Sequence, residues 1–308
     1  MIKMFKRFKI KDWLLVLICI IMIVLQVWLD LKLPDYMSKI TVLIQTEGSS
    51  ISEILKQGGY MLLCALGSLI SAIIVGYFTS LLSANFSLNL RKRIFDKVQK
   101  FGMTEIKKFS TSSLITRTTN DVTQIEMFIA MGLQMLIKAP IMAFWAITKI
   151  LDKSIEWSML TGGCVVILLA VVITLLVIVF PRFEIVQKLI DKVNGVTREN
   201  LTGIRVIRAF NAEKYQEKRF EQVNNELTNT QLFNQKCFAI LNPAMNLVMH
   251  SQTLGVYIIG AILINSAGMV EKITLFSNMV VFTSYGMQVI MSFLMLAMIF
   301  MILPRADV

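Results

Sequence analysis

The chain has 308 residues, of which 56% are hydrophobic and 17% charged, and its formal net charge is +11. A soluble domain of this length does not bury so much apolar surface, and the apolar residues lie in long runs, so a lipid bilayer is the expected solvent. The basic residues lie between these runs and not on one soluble face, which argues against nucleic acid as a partner. The four cysteines form no CxxC pair and the only histidine is His250, so neither a disulfide framework nor a metal site is expected.

Six apolar runs are predicted to cross the membrane as helices, because each reaches the roughly 20 residues that span the hydrocarbon. Their predicted limits are about 13–33, 60–84, 127–150, 158–180, 243–265 and 275–303. The first run follows basic residues, as in a signal peptide. It is long enough to span, however, and no small-residue cleavage pattern follows it, so we interpret it as a transmembrane helix. Trp13, Trp28 and Trp157 lie near the ends of runs and are expected at membrane–water interfaces.

Lysine and arginine alternate between rich and poor connections along the chain. The first twelve residues carry five, the segment 85–126 carries eight and the segment 181–236 carries ten, whereas the intervening connections carry one or two each. By the positive-inside rule, both termini and the two long segments are predicted to be cytoplasmic. The predicted fold class is an all-α membrane protein with six transmembrane helices and two long cytoplasmic helical extensions, at about 85–126 and 181–237.

The two long segments are predicted to be helical arms. Apolar residues such as Phe183, Val186 and Ile190 recur in them at helical spacing. A helix of about 25 to 30 residues in such an arm projects about 40 Å from the membrane, at about 1.5 Å per residue. Each arm must reverse, and the turn-forming stretches place the reversals near Gly102–Ser113 and Asn211–Phe220, each with a short amphipathic helix.

Three stretches of the sequence resemble ABC exporters. Phe109–Ile125 (FSTSSLITRTTNDVTQI) is similar to their first intracellular loop, although Ser112 replaces the usual glycine. Arg198–Phe220 (RENLTGIRVIRAFNAEKYQEKRF) is similar to the second loop, and Lys138-Ala139-Pro140 also fits the family. Together with the order of elements, the topology and the arm lengths, these stretches make nearly the whole chain resemble the transmembrane domain of a bacterial multidrug or lipid exporter.

The resemblance implies that two membrane halves, identical or different, dimerise around a central cavity. Short coupling helices at the arm tips would dock on ATP-binding domains and carry their closure to the cavity. The first would use Glu105, Ile106, Lys107 and Phe109, and the second Ala212, Glu213, Tyr215 and Phe220. Arg117, Asp121 and Glu199 would make contacts between arms or in coupling, although solvated charges on long helices explain them equally well.

An ATPase site is absent from the sequence. ATP hydrolysis of this type needs a GxxxxGK[ST] loop to hold phosphates, and neither that pattern nor a Leu-Ser-Gly-Gly signature occurs. The chain alone is therefore not expected to hydrolyse ATP or to carry a cofactor. ATP and magnesium are expected on a nucleotide-binding domain that is either fused in a longer chain or a separate subunit.

Polar residues inside the spans are the candidates for the substrate path. Lys138 lies mid-span, where it either lines the cavity or snorkels towards an interface. His250 and Gln288 either line the path or form hydrogen bonds between helices. Lipophilic compounds, drugs or lipids are the expected substrates, and membrane lipid is a further partner.

Two other functions stay open at this stage. A secondary transporter or channel commonly carries carboxylates deep in the membrane, whereas Asp30 and Glu126 lie at the edges of their runs. A truncated, non-transporting scaffold is the other alternative, because a membrane domain can fold without its ATPase.

Overall fold

The computed structural model describes residues 10–46, 49–102, 111–151 and 155–306. All regular elements in these ranges are helices: α1 (Ile10–Gln45), α2 (Ile51–Gln99), α3 (Thr111–Thr116), α4 (Val122–Met127), α5 (Leu133–Leu151), α6 (Ile155–Ala209), α7 (Glu213–Ser266) and α8 (Met269–Ala306). The π-helical turns Arg117–Asp121 and Phe128–Gly132 join α3, α4 and α5 into one continuous helical segment. The described residues contain six helical segments long and apolar enough to cross a membrane, which confirms the predicted all-α membrane fold.

The helices extend well beyond the predicted spans. In particular, α2 continues to Gln99 and α6 to Ala209. The chain forms two compact units, of which the first comprises residues 1–165 and 252–308 and the second residues 166–251. Helices α6 and α7 therefore contribute one end to each unit. The limits of the membrane-embedded parts remain predictions.

Close packing of α1 against α2 follows from complementary stripes of side chains. Helix α1 buries an apolar residue at every fourth position: Cys19, Ile23, Val27 and Leu31. Helix α2 buries mostly small residues at the same spacing: Ser71, Val75, Thr79, Ser83 and Ser87. Small side chains allow two helix backbones to approach closely in a membrane. The opposite face of α1 leaves Leu14, Leu17 and Ile21 exposed, which suits contact with lipid.

Ser50 fixes the point at which α2 begins. Its hydroxyl accepts a hydrogen bond of 3.2 Å from the backbone N–H of Glu53. Ser50 and Glu53 have the Ser-x-x-Glu spacing of a capping box, which satisfies backbone donors that the first turn leaves without partners.

Trp157, at the start of α6, lies in the core of the first unit. Its side chain is fully buried, and its ring centroid lies 5.4 Å from that of Phe282 in α8. The side chain therefore faces other helices, and its place at a membrane–water interface stays a prediction. Gly260 of α7 makes room for a neighbour of this core, Met279, whose sulfur would lie 2.5 Å from a methyl group at that position. Trp13 and Trp28, by contrast, are largely exposed.

The second unit is an antiparallel hairpin made by the C-terminal part of α6 and the N-terminal part of α7. Its contacts follow an antiparallel register, from Glu199–Arg219 near the turn to Phe183–Phe238 farther away. Beside the Phe183–Phe238 contact, the guanidinium of Arg182 lies 3.7 Å from the ring centroid of Phe233. Such a cation–π contact adds to apolar packing and favours one register of the hairpin.

The hairpin reverses within three residues. Asn211 has a φ of 49°, and the N–H of Ala212 bonds to the carbonyl of Ile207 at 2.9 Å. Asparagine tolerates this left-handed conformation, and the bond closes a helix C-terminus of the Schellman type. The expected separate short helix does not occur at this reversal, because Glu213–Phe220 forms the first two turns of α7.

Candidate functional site

The tip of the α6–α7 hairpin presents aromatic side chains. Phe210 is 80% exposed and Tyr215 is 69% exposed, whereas Ala212 and Phe220 are half-buried. Glu213 opens α7 between these aromatic residues, and its side chain is exposed. Exposed aromatic groups on a rigid tip are suited to insertion into a groove of a partner protein.

The other predicted coupling segment cannot be placed beside this tip. Glu105, Ile106, Lys107 and Phe109 lie outside the described residues. The roles of both coupling segments therefore remain predictions.

Glu199 forms an ion pair across the hairpin. Its carboxylate lies 2.7 Å from the guanidinium of Arg219, and both side chains are substantially exposed. The sequence alone does not single out Arg219, because one arginine among many charged residues is typical of a solvated helix surface. The pair links α6 to α7 near the reversal.

Because this ion pair is exposed, its loss is expected to have a small effect. Substitution Glu199→Gln is expected to lower the free energy of unfolding by less than about 1 kcal/mol. Thermal unfolding in detergent measures the change. Glu184→Gln is the matched control, since it removes an exposed pair with Lys188 that lies within α6 alone. A loss of more than about 2 kcal/mol would show that the Glu199 pair is part of a larger network.

Arg117 and Asp121 lie at the two ends of a π-helical turn. Arg117 is exposed and Asp121 is half-buried. Single π-helical turns inside α-helices are frequent at functional sites. Next to this turn, Arg91 of α2 contacts the hydroxyl of Thr123 at 3.2 Å and the carboxylate of Glu126 at 3.4 Å. The predicted motif thus lies where α2 is tied to α4.

Lys138 has an anionic partner. Its ammonium lies 3.4 Å from the carboxylate of Asp30, and only 16% and 22% of the two side chains are exposed. The hydroxyl of Ser68 donates a hydrogen bond to the same carboxylate. The ion pair joins α1 to α5, and Ser68 links both to α2. Neither sequence interpretation of Lys138 included this arrangement.

A second charged cluster lies farther along the same helices. The ammonium of Lys149 lies 3.0 Å from the carboxylate of Asp35. The hydroxyl of the fully buried Tyr285 in α8 lies 2.6 Å from that carboxylate and 3.0 Å from the carbonyl oxygen of Leu31. We call Asp30, Asp35, Lys138, Lys149 and Tyr285 the polar seam. Sequence reasoning missed Asp35, Lys149 and Tyr285. The available signal was a pair of acids around the end of the first apolar run, Asp30 and Asp35, and a pair of lysines in the third, Lys138 and Lys149.

The remaining candidates lie in different surroundings. His250 is exposed and belongs to the second unit. Gln288 is half-buried in α8, and its carbonyl oxygen has no hydrogen-bond partner among the described residues. Gln252, in contrast, is fully buried and donates to the hydroxyl of Thr161 at 3.3 Å, so it links α7 to α6.

Comparison with known proteins identifies the family. The family model described as the ABC transporter transmembrane region matches residues 15–302. The chain belongs to this family. An uncharacterized ABC transporter ATP-binding protein of Mycobacterium tuberculosis is 32% identical over 252 residues, which cover 81% of this chain and 41% of that protein.

Two further relatives are also ABC transporter proteins of bacteria. The uncharacterized ABC transporter ATP-binding protein YfiB of Bacillus subtilis is 28% identical, over 78% of this chain and 41% of its own length. The multidrug resistance-like ATP-binding protein MdlA of Buchnera aphidicola is 27% identical, over 88% of this chain and 47% of its own length. The chain thus spans less than half the length of these curated relatives.

The family match and the six apolar helices agree. The chain is the transmembrane region of an exporter-type ABC transporter and a multi-pass membrane protein. The motif stretches that resembled ABC exporters, residues 109–125 and 198–220, both lie inside the matched range.

Proposed function

We propose that this chain is the substrate-translocating domain of an ATP-driven exporter and that it works as a dimer of membrane halves around a central cavity. The observation that carries the proposal is the α6–α7 hairpin with its exposed aromatic tip, found in a chain that belongs to the ABC transporter transmembrane family. Force applied at such a tip is transmitted along two continuous helices.

The hairpin is suited to act as a lever. From the Phe183–Phe238 contact to the turn at Asn211 it measures about 40 Å, at about 1.5 Å per residue. The Glu199–Arg219 pair and the Arg182–Phe233 contact link its two helices along this length. We place the tip and both termini in the cytoplasm of a bacterial cell, because the basic residues concentrate in these segments.

Coupling to ATP would use two docking elements. The second is Ala212, Glu213, Tyr215 and Phe220 at the hairpin tip, and the first is the segment with Glu105, Ile106, Lys107 and Phe109. ATP and magnesium would bind a nucleotide-binding domain that is fused to this chain or separate from it. Arg117 and Asp121 lie next to the α2–α4 contact, where movement of the first element would reach the membrane helices.

The charges of the chain favour a lipophilic substrate. Lys138, the mid-span cation, is paired with Asp30 and is not free to bind a second anion. His250 and Gln288 remain the candidates for polar contacts in the path. Methionines on α8, such as Met287 and Met291, offer flexible apolar surface that accommodates varied shapes.

Purification of the native product tests the proposal. An antibody against the second arm would recover the protein from source membranes, and the purified assembly would be assayed for ATP hydrolysis. We expect magnesium-dependent ATP hydrolysis, with the ATP-binding domain either in the same polypeptide or in a co-purifying subunit. An assembly of the intact chain without any ATPase activity contradicts the proposal and favours a non-transporting scaffold.

A change at the hairpin tip is expected to uncouple the transporter. Tyr215→Asp places a charge where an aromatic side chain would enter the groove, so ATP-driven ethidium uptake into inside-out vesicles is expected to fall about tenfold or more. Leu232→Asp is the matched control, since Leu232 is an exposed apolar residue of α7 far from the tip. Equal transport by the two variants would contradict a coupling role for Tyr215.

A proton-driven transporter is the second candidate, because Asp30 and Asp35 are part-buried carboxylates in an apolar helix. The vesicle assay separates the two functions. ATP-driven uptake that persists in the presence of a protonophore supports the exporter, whereas uptake that needs a proton gradient and no ATP supports the alternative.

A further inference from the structure

One exposed face of α1 changes its chemical character along the helix. In the first part of the helix this face consists of exposed apolar side chains: Leu14, Leu17, Ile21 and Leu25. The same spacing of three or four residues then continues through aromatic and basic side chains: Trp28, Lys32, Tyr36 and Lys39. The face is therefore amphipathic along the helix axis, because an apolar stretch leads directly into a cationic one.

The lysines of this face lie over aromatic rings. The ammonium of Lys32 lies 5.6 Å from the ring centroid of Trp28, and the ammonium of Lys39 lies 5.3 Å from the ring centroid of Tyr36. Both distances are those of a cation–π contact, which attracts the charge and leaves N–H donors for another partner. Lys32 thereby turns back towards the apolar part of the face, whereas a snorkelling lysine extends away from it to water.

Helix α2 contributes a further ring to this surface. The ring centroid of Tyr60 lies 5.9 Å from that of Tyr36, and both tyrosines are accessible to solvent. We call Trp28, Lys32, Tyr36, Lys39 and Tyr60 the aromatic–basic strip. It lies on one surface of the α1–α2 pair and offers two ammonium groups and two phenol hydroxyls.

The two lysines of the strip have no carboxylate partner in the part of the chain that the structure describes. Neither Lys32 nor Lys39 forms an ion pair there, whereas both acids of the polar seam have lysine partners on α5. Asp35 attracts Lys32 at longer range, but its carboxylate is already bonded to Lys149 and Tyr285. The strip therefore offers two cations to an anion from outside the chain.

The apolar part of the face indicates which kind of anion fits. A free phosphate ion needs only cations, whereas a phospholipid also needs an apolar surface next to the site of its phosphate. From Leu14 to Trp28 the apolar face is about 21 Å long, which exceeds half of the roughly 30 Å of hydrocarbon and so accommodates the acyl chains of one leaflet. Lys32 and Lys39 are about 10 Å apart along the helix, a gap that two flexible side chains can close around one headgroup.

We propose that the aromatic–basic strip binds the headgroup of an anionic phospholipid whose acyl chains lie along the apolar face of α1. Lys32 and Lys39 bind the phosphate, while the rings of Trp28 and Tyr36 hold the two ammonium groups in place. In the predicted topology this lipid belongs to the outer leaflet. Binding requires neither ATP nor transport, so its test is independent of the proposed function.

A comparison of two phospholipids tests the site. The purified native assembly in detergent would be titrated with phosphatidylglycerol, which is anionic, or with phosphatidylcholine, which has no net charge. Native mass spectrometry counts the lipid molecules bound per chain. We expect the first phosphatidylglycerol to bind about tenfold more tightly than the first phosphatidylcholine, because two lysines attract its charge. Equal affinities of the two lipids overturn the proposal.

Variants assign the binding to the strip. Lys32→Gln and Lys39→Gln together are expected to lower the affinity for phosphatidylglycerol to that for phosphatidylcholine, whereas arginine at both positions is expected to retain it. Lys272→Gln is the matched control, since Lys272 is an exposed lysine at the start of α8. If the double glutamine variant binds phosphatidylglycerol as tightly as the native chain does, or if Lys272→Gln lowers the affinity equally, the strip is not the site.

Inorganic phosphate distinguishes a lipid from a free anion. Millimolar phosphate is expected to leave the binding of phosphatidylglycerol unchanged, because the ion gains nothing from the apolar face of α1. Displacement of the lipid by phosphate would show that the strip is a site for soluble anions, which overturns the assignment to a lipid. The glutamine variants are expected to melt within about 2 °C of the native protein in detergent, since neither lysine is part of an ion pair among the described residues.

Discussion

Replacing Lys138 with methionine is expected to lower the free energy of unfolding by about 3 kcal/mol, the typical cost of leaving a buried charge without its partner. Methionine keeps most of the side-chain volume, so the effect comes from the charge. Among the residues that the structure describes, Asp30 would retain the Ser68 hydroxyl as its partner. For a chain of this size, the loss corresponds to a fall of about 6 °C in the melting temperature measured in detergent.

A double-mutant cycle separates the ion pair from other effects of this change. Asp30→Asn alone leaves Lys138 without its anionic partner and is expected to cost about as much as Lys138→Met. The two changes together remove both charges and are expected to cost no more than either change alone, with a coupling energy of about 3 kcal/mol. Additive losses in the double variant would show that the pair contributes nothing beyond packing.

Gly286→Ala is expected to destabilise the first unit by about 1–3 kcal/mol through overpacking between helices. A methyl group at this position of α8 would overlap the side-chain nitrogen of Gln252 in α7. Gln252 is fully buried and bonded to Thr161, so it has little room to move away. Relief of the clash breaks that hydrogen bond and leaves a buried amide without a partner.

Two variants check this explanation by thermal unfolding in detergent. Gly76→Ala is the matched control, because nothing lies within 4 Å of a methyl group there and alanine favours helix by up to about 1 kcal/mol over glycine. Gln252→Ala combined with Gly286→Ala removes the group that clashes and is expected to be more stable than Gly286→Ala alone. If the double variant is the less stable of the two, steric conflict with Gln252 is not the cause.

The spanning helices could be predicted because a bilayer imposes a single requirement on each of them. About 20 consecutive apolar residues must form a helix that satisfies its own backbone, and hydropathy reports that property locally. The same reasoning did not predict that the Trp157 side chain is fully buried against Phe282. Burial of a particular side chain depends on which helices become neighbours, which local pattern does not report.

The ion pairs of the polar seam could not be predicted for the same reason. Lys138 and Asp30 are 108 residues apart in sequence, so each looks like an isolated costly charge until α1 and α5 are placed side by side.

At the hairpin tip, turn-forming residues indicated the region of the reversal. The number of residues in the turn depends on the left-handed backbone of Asn211, a conformation that asparagine tolerates but does not require.

The order of synthesis gives the matched stripes of α1 and α2 a role in membrane insertion. The two helices are neighbours in the chain and interlock through their own side chains, so they can associate as soon as α2 leaves the ribosome. Asp30 and Asp35 enter the bilayer with α1, long before their lysines on α5 are translated. Until α5 is inserted, the end of the newly made α1–α2 pair that carries these acids is stable only near the headgroups. There, water and lipid amines substitute for the missing cations.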